Sequence, residues 1–163
     1  MKINIRNKSD IVRTKSEMDY LKIFTAELAW ELGIACDVRE IRLRYRNWWY
    51  GYYPKGKPLA GFYKLFKAGI VTIDLTGHWD ADLIARKTAI VHELTHVKQI
   101  VEKRLRVHSN CRVVHWNGSR VDTWKKYRES IRDSLTSQEA RRRYKGNLIP
   151  WEWEVWENVD KLI

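Results

Sequence analysis

One long amphipathic segment near the middle of the chain constrains the fold more than any other feature. Its apolar residues recur at the three- and four-residue spacing of a helix: Leu83, Ile90, Leu94, Val97 and Val101. The pattern predicts one helix, capped at its N-terminus by Asp80 and ending near residues 103–105. A stripe of this length would anchor the helix firmly in the core.

Two histidines in this helix are spaced to share a metal ion. His92 and His96 are four positions apart, so both imidazoles lie on the same face of the helix. Glu93 lies about 100° around the helix from His92 and can reach the open side of a bound metal. Neutral imidazole suits zinc, and a catalytic zinc usually has three protein ligands and one water. We therefore expect one zinc ion per chain, with Glu93 as general base.

The last segment of the chain offers the third ligand. Pro150 stands where a first helical residue favours proline, and the helix is expected to run to about Leu162. Glu152 shares a stripe with three apolar residues: Val155, Trp156 and Val159. A carboxylate on a buried stripe needs a partner, and zinc would be one. Glu154 falls on a face with polar residues that we expect to be solvated: Glu157, Asn158 and Lys161.

These two segments resemble the gluzincin branch of the zincins, and most closely the small single-domain metallopeptidases of bacteria and phages. The resemblance covers residues 92–99 and 150–155 and, more loosely, the turn at 116–118. In that group the downstream element reads approximately Pro-x-Glu-x-Glu-Ala. The match places the zinc glutamate at Glu152, while a valine stands in place of the alanine, so Glu154 stays open as the alternative ligand. The resemblance implies zinc-dependent hydrolysis of peptide bonds in a protein or peptide substrate.

The resemblance also implies a strand that binds the substrate. In zincins an edge strand of the sheet pairs with extended peptide, which backbone hydrogen bonds hold regardless of its sequence. Here that strand precedes the metal-binding helix, and its expected substrate-binding residues are Ile70, Val71, Thr72, Ile73 and Asp74.

Downstream histidines leave other arrangements open. The SprT-like proteases, which act on proteins crosslinked to DNA, take their third ligand from a downstream histidine, and His108 is placed for that role. A structural zinc would instead have four protein ligands, with His108 or His115 beside Glu152, in a non-catalytic basic binding module. An oxyanion stabiliser is also expected near the zinc, and Tyr144, Tyr127 and His115 are the candidates.

The charge of the chain favours anionic partners. Lys and Arg number 31 against 20 Asp and Glu, which gives a net charge of +11. Such an excess favours partners such as nucleic acid or acidic protein surfaces, although it is equally explained as a solubilising surface. From Ile41 to Arg46 apolar and basic residues alternate, which predicts a strand with a cationic outer face. The aromatic cluster 45–53 resembles a base-stacking surface, but we favour rings that cover the core.

The remaining pattern predicts one α+β domain over residues 1–163. We expect a short strand or loose arm at 2–6 and a helix at 17–32, capped by Ser16 and stopped by Gly33. Further segments are predicted as two hairpins and two helical stretches: strands 61–66 with 70–75, strands 112–116 with 120–124 around Asn117-Gly118, and helices over 124–135 and 136–144. The resemblance implies a zincin-like domain, with a small, mostly antiparallel sheet packed on the metal-binding helix and the C-terminal helix.

Cysteine content and hydropathy bear on location. Two cysteines, Cys36 and Cys111, predict buried thiols in a reducing compartment. The N-terminus has no apolar core of a signal peptide, and no apolar run approaches the roughly 20 residues that cross a bilayer. We expect a cytoplasmic protein without a membrane association.

Overall fold

A computed structural model describes residues 1–46, 68–76, 82–107, 113–122 and 150–163. The protein has a mixed α+β fold. Its elements in chain order are β1 (Lys2–Asn7), α1 (Lys15–Glu31), β2 (Glu40–Arg46), β3 (Ile70–Thr76), α2 (Leu83–Val101), β4 (Leu105–Val107), β5 (Val113–Trp116), β6 (Ser119–Asp122) and α3 (Pro150–Leu162). The predicted strand 61–66 and the predicted helices over 124–144 lie outside the described residues.

Strands β1, β2 and β3 form a parallel sheet in that spatial order. The prediction of a mostly antiparallel sheet is wrong for this sheet. Helix α1 connects β1 to β2. A helix that crosses over a sheet brings the chain back to the end at which it started, so the next strand runs parallel to the first.

One face of this sheet is buried and the other is basic. Along β2 the apolar residues Ile41, Leu43 and Tyr45 are fully buried and alternate with partly exposed residues. They join a core that includes residues of α1, β3 and α2. The predicted strand with a cationic outer face is therefore confirmed, and both helices pack on the apolar face.

Helix α1 begins and ends with satisfied caps. Thr14, not the predicted Ser16, is the N-cap, and its side chain accepts a hydrogen bond from the Glu17 backbone N–H at 3.1 Å. At the other end Gly33 takes a φ of +74°, which glycine adopts without strain. Its N–H donates to the Trp30 carbonyl, and the next N–H closes the motif on the carbonyl of residue 29. The predicted stop at Gly33 is confirmed.

Helix α2 begins later and ends earlier than its pattern predicts. Asp82 is the N-cap, accepting from the Ala85 backbone N–H at 2.7 Å, so the prediction of Asp80 is wrong. The helix ends at Val101, and Lys103 takes a left-handed φ of +60°. This turn directs Arg104 toward the last helix, where it forms ion pairs described below.

Strands β4, β5 and β6 form a separate antiparallel sheet. The predicted hairpin around Asn117-Gly118 is confirmed, and the positive φ of both residues fits a type I′ turn. A small core joins this sheet to the first turn of α3: Leu105, Val107, Val114 and Trp151. The second sheet therefore helps to position the helix that carries Glu152.

Two findings bear on location. Cys36 is an exposed free thiol, so the expectation that it is buried is wrong, and Cys111 lies outside the described residues. None of the helices in the described ranges combines the length and the apolar character needed to cross a bilayer.

Candidate metal centre

Helices α2 and α3 pack together and place three metal-binding side chains side by side. His92 and His96 come from α2 and Glu152 from α3, and one ligand atom of each lies within 4.8 Å of the others. The Glu152 carboxylate lies 3.6 Å from His92 Nε2 and 3.2 Å from His96 Nε2. Within the described part of the chain, no other group of three such residues comes together.

The buried stripe of α3 explains why Glu152 points at the histidines. Val155 and Val159 lie on the same stripe and are buried against α2. The Trp156 ring meets the His92 ring edge-on, with 5.4 Å between the ring centroids. The predicted buried stripe is confirmed, and it turns Glu152 toward α2.

Gln99 fixes the orientation of His96. The fully buried Gln99 amide donates through Nε2 to the Trp151 backbone carbonyl at 2.8 Å. Its Oε1 therefore faces His96 Nδ1, at 3.0 Å, and accepts the proton on that nitrogen. This hydrogen bond turns His96 Nε2 toward Glu152, as an outer-shell partner does in metal sites. Sequence reasoning did not give Gln99 this role, although its spacing of three from His96 on one helix was the available signal.

His92 is held as a neutral imidazole. Burial and, to a smaller extent, the nearby charge of His96 lower its pKa to about 4, against the opposing effect of the Glu152 carboxylate. Its Nδ1 is buried, and no described residue forms a hydrogen bond with it. A neutral ring beside a carboxylate and a second imidazole is suited to bind a metal ion.

His96 and Glu152 form an ion pair. Burial alone would lower the pKa of His96, but the adjacent carboxylate of Glu152 outweighs it and raises that pKa to about 9. Burial likewise opposes ionisation of Glu152, and the two histidines overcome it and lower its pKa to about 2. Without a metal, a proton on His96 therefore balances the charge of Glu152.

Glu93 lies beside this group without joining it. Its carboxylate forms no hydrogen bond or ion pair with another described residue. Burial raises its pKa above the ordinary value, which the charge on His96 opposes. The negative charges of Glu152 and Asp74 raise it further. A carboxylate whose pKa is raised above its ordinary value is a stronger base than a solvent-exposed one, which suits a general base.

Glu154, the alternative ligand, is engaged elsewhere. Both of its oxygens accept hydrogen bonds from Arg104, at 2.6 and 2.8 Å. The face of α3 that carries Glu154 was expected to be solvated. That expectation is wrong for Glu154 and for Asn158. Glu154 is partly buried in this ion pair, and Asn158 donates to Thr95 Oγ1 at 3.3 Å because α2 covers that part of α3.

The three side chains fit a zinc ion. Two imidazoles and one carboxylate match the ligand set of catalytic zinc sites with three protein ligands. Zinc bonds of about 2.1 Å in a tetrahedron place neighbouring ligand atoms roughly 3.4 Å apart. The two oxygens of Glu152 divide between the rings at distances close to that spacing: Oε2 lies 3.6 Å from His92 Nε2, and Oε1 lies 3.2 Å from His96 Nε2.

The other predicted site residues are placed as follows. The predicted substrate strand, Ile70 to Asp74, lies in β3, which is at the edge of the sheet formed by the described residues, where it pairs with β2. His115 lies on β5 opposite Arg106 and Arg120, outside the three-residue group. His108, Tyr127 and Tyr144 lie outside the described residues.

Comparisons with known proteins identify no relative. No protein-family model, no curated protein and no solved structure matches the chain.

Proposed function

We propose that the protein is a zinc-dependent peptidase with a zincin-like site of the gluzincin type. The observation that carries this proposal is the convergence of His92, His96 and Glu152, with the uncommitted carboxylate of Glu93 beside them. The described residues bring three ligands to the group, which is the number that a catalytic zinc takes from the protein beside its water.

The chain's own residues supply the binding and the proton transfers. His92, His96 and Glu152 would hold the ion, and Gln99 keeps the His96 ring in its binding orientation. Zinc bound there would act as a Lewis acid toward water and the peptide carbonyl. Glu93 takes a proton from the attacking water as the new C–O bond forms. It then delivers that proton to the amide nitrogen as the C–N bond breaks, which releases an amine and a carboxylic acid.

We propose that the substrate is an extended protein or peptide segment that pairs with β3. A peptide can add to the edge of β3 through backbone hydrogen bonds, which need no particular sequence. Asp74, near the end of β3, acts electrostatically on Glu93, which supports a short distance between this strand and the base. We place this activity in the cytoplasm, where a free thiol such as Cys36 stays reduced.

Glu93→Gln tests the proposal directly. The amide keeps the size of the side chain but cannot take a proton, so zinc binding should persist while hydrolysis falls by about 10²–10⁴-fold. The assay follows cleavage of unfolded protein and of a quenched peptide library by zinc-loaded protein. Glu157→Gln, an exposed residue of α3, makes the same chemical change and should keep activity. Equal cleavage by Glu93→Gln, or no cleavage by the zinc-loaded native chain, would contradict the proposal.

A further inference from the structure

The face of the parallel sheet opposite the helices carries an excess of positive charge. Side chains of alternate residues on β1 and β2, together with Lys8 just beyond β1, place six cations there: Lys2, Arg6, Lys8, Arg42, Arg44 and Arg46. Two carboxylates share this face, Glu40 on β2 and Asp74 on β3. We call these eight residues the basic sheet face. The basic sheet face has a net charge of +4, out of +11 for the whole chain.

The carboxylates on the basic sheet face do not neutralise it. Asp74 accepts two hydrogen bonds from Arg44, at 2.6 and 3.0 Å, and also lies 3.6 Å from Arg46. Glu40 is occupied by Arg42 at 2.8 Å. Each carboxylate therefore orients an arginine that remains partly exposed, and the surplus of cations stays.

Arg6 and Lys8 form the part of this surplus that has no carboxylate partner among the described residues. Arg6 lies directly opposite Arg44 in the sheet register. Like charges at directly opposed positions destabilise a sheet, so this arrangement is unfavourable for folding alone. An anionic partner would relieve the repulsion.

A cavity of about 230 Å³ lies on this face, and every described residue that lines it is polar or charged. Asn4 and Thr72 contribute neutral hydrogen-bonding groups beside the guanidinium groups of Arg42 and Arg44. A lipid surface or a protein partner of ordinary type would be matched by apolar or aromatic side chains. The lining instead matches phosphate oxygens, which arginine binds through two parallel hydrogen bonds.

We propose that the basic sheet face binds the phosphodiester backbone of nucleic acid. Cations two residues apart along a strand repeat every ~6.7 Å, so β1 and β2 present parallel rows of charge to a chain of phosphates. The described residues of this face include no aromatic ring for stacking, so binding is electrostatic and independent of base sequence. The opposite, apolar face of the same sheet packs against α1 and α2. Asp74, one of the eight residues of the basic sheet face, also acts electrostatically on Glu93.

Salt-dependent DNA binding by matched charge variants tests this proposal. Binding would be followed by fluorescence anisotropy of a labelled DNA of about 20 nucleotides, both single-stranded and duplex, from about 25 to about 300 mM NaCl. Contacts between cations and phosphates weaken over this range of salt. Arg6→Gln combined with Lys8→Gln should weaken binding about tenfold or more at moderate salt. It should also reduce the slope of log K against log salt by about two. Arg106→Gln combined with Arg120→Gln removes the same charge from exposed positions of the second sheet and should change affinity less than twofold.

Each other outcome counts against the assignment. Equal weakening by the two double variants would mean that only total charge matters. Absence of salt-dependent binding by the native chain would overturn the proposal, as would binding to polyglutamate or phosphatidylserine vesicles as tight as binding to DNA. Glu93→Gln should bind DNA like the native chain, so a failure of the proposed peptidase activity would leave this result unaffected.

Discussion

The side-chain amide of Gln99 donates to the backbone carbonyl of Trp151 over 2.8 Å, and its oxygen faces His96. One buried side chain therefore ties the orientation of a histidine on α2 to the start of the helix that carries Glu152. The two halves of the metal centre are 52 residues apart along the chain at this contact.

The first prediction concerns this link. Gln99→Leu keeps the side chain buried but removes its hydrogen bonds to His96, Trp151 and Glu154, so His96 loses its fixed tautomer and orientation. Loss of such an outer-shell partner typically costs about 10–100-fold in metal affinity. We expect that loss in a zinc titration against a competing chelator.

Asn158→Ala is the control for Gln99→Leu. It removes a different hydrogen bond between the same two helices, the one from Asn158 to Thr95, without contact to a histidine. Zinc affinity should stay within about threefold of the native value, because the hydrogen bond that is lost orients Thr95 and no metal ligand. If both variants lose affinity equally, Gln99 acts through helix packing and not through His96.

The second prediction separates the two glutamates at the start of α3. Glu152→Gln should reduce zinc affinity by more than about 100-fold, because it removes an anionic ligand. Loss of a residue that only orients a ligand costs at most about that much. Glu154→Gln should bind zinc normally and lower the free energy of unfolding by about 1 kcal/mol or less, since its pair with Arg104 is partly exposed. Chelator competition and denaturant unfolding measure the two quantities. The reverse pattern would make Glu154 the ligand.

The third prediction concerns protons released on zinc binding. At pH 7 the metal-free site holds one proton on His96, whose pKa is about 9, while His92, with a pKa of about 4, is neutral. Zinc must displace the proton on His96, so affinity should rise about tenfold per pH unit toward pH 9. Calorimetry in two buffers of different ionisation enthalpy should report one proton per zinc. A value of zero or two would contradict this description of the site.

The same pKa of His96 affects the stability of the metal-free protein. It is raised from 6.5 to about 9 in the folded chain. The pair with Glu152 therefore contributes fully between about pH 4.5 and pH 6.5, and this contribution is lost as the pH rises through 9. Denaturant unfolding of metal-free protein should show that decline, and His96→Gln, which does not titrate, should lack it.

Local patterns were sufficient to predict several elements. The apolar stripe with Gly33 at its end predicted α1, because only a residue without Cβ takes the left-handed conformation there at low cost. Asn117-Gly118 predicted the hairpin for the same reason. The stripe through Val155 and Val159 predicted which face of α3 is buried and hence that Glu152 turns inward.

Other features depend on contacts between distant residues, which local patterns do not encode. Both Thr14 and Ser16 are residue types that cap helices, and it is Thr14 that accepts from the Glu17 backbone N–H at the start of α1. The family resemblance favoured antiparallel pairing, whereas β1 and β2 pair in parallel on either side of α1. Arg104 is far from Glu154 in sequence, so the polar face of α3 gave no sign that this carboxylate would be paired.

Anomalous-scattering crystallography at the zinc edge, on crystals of the full chain grown with zinc, tests the central claim most directly. We predict one peak per chain, bound by His92, His96 and Glu152, with no fourth protein ligand and with Glu93 beside the ion but not bonded to it. Absence of a peak at this position, or a peak bound by four protein side chains, would contradict the proposed catalytic zinc centre.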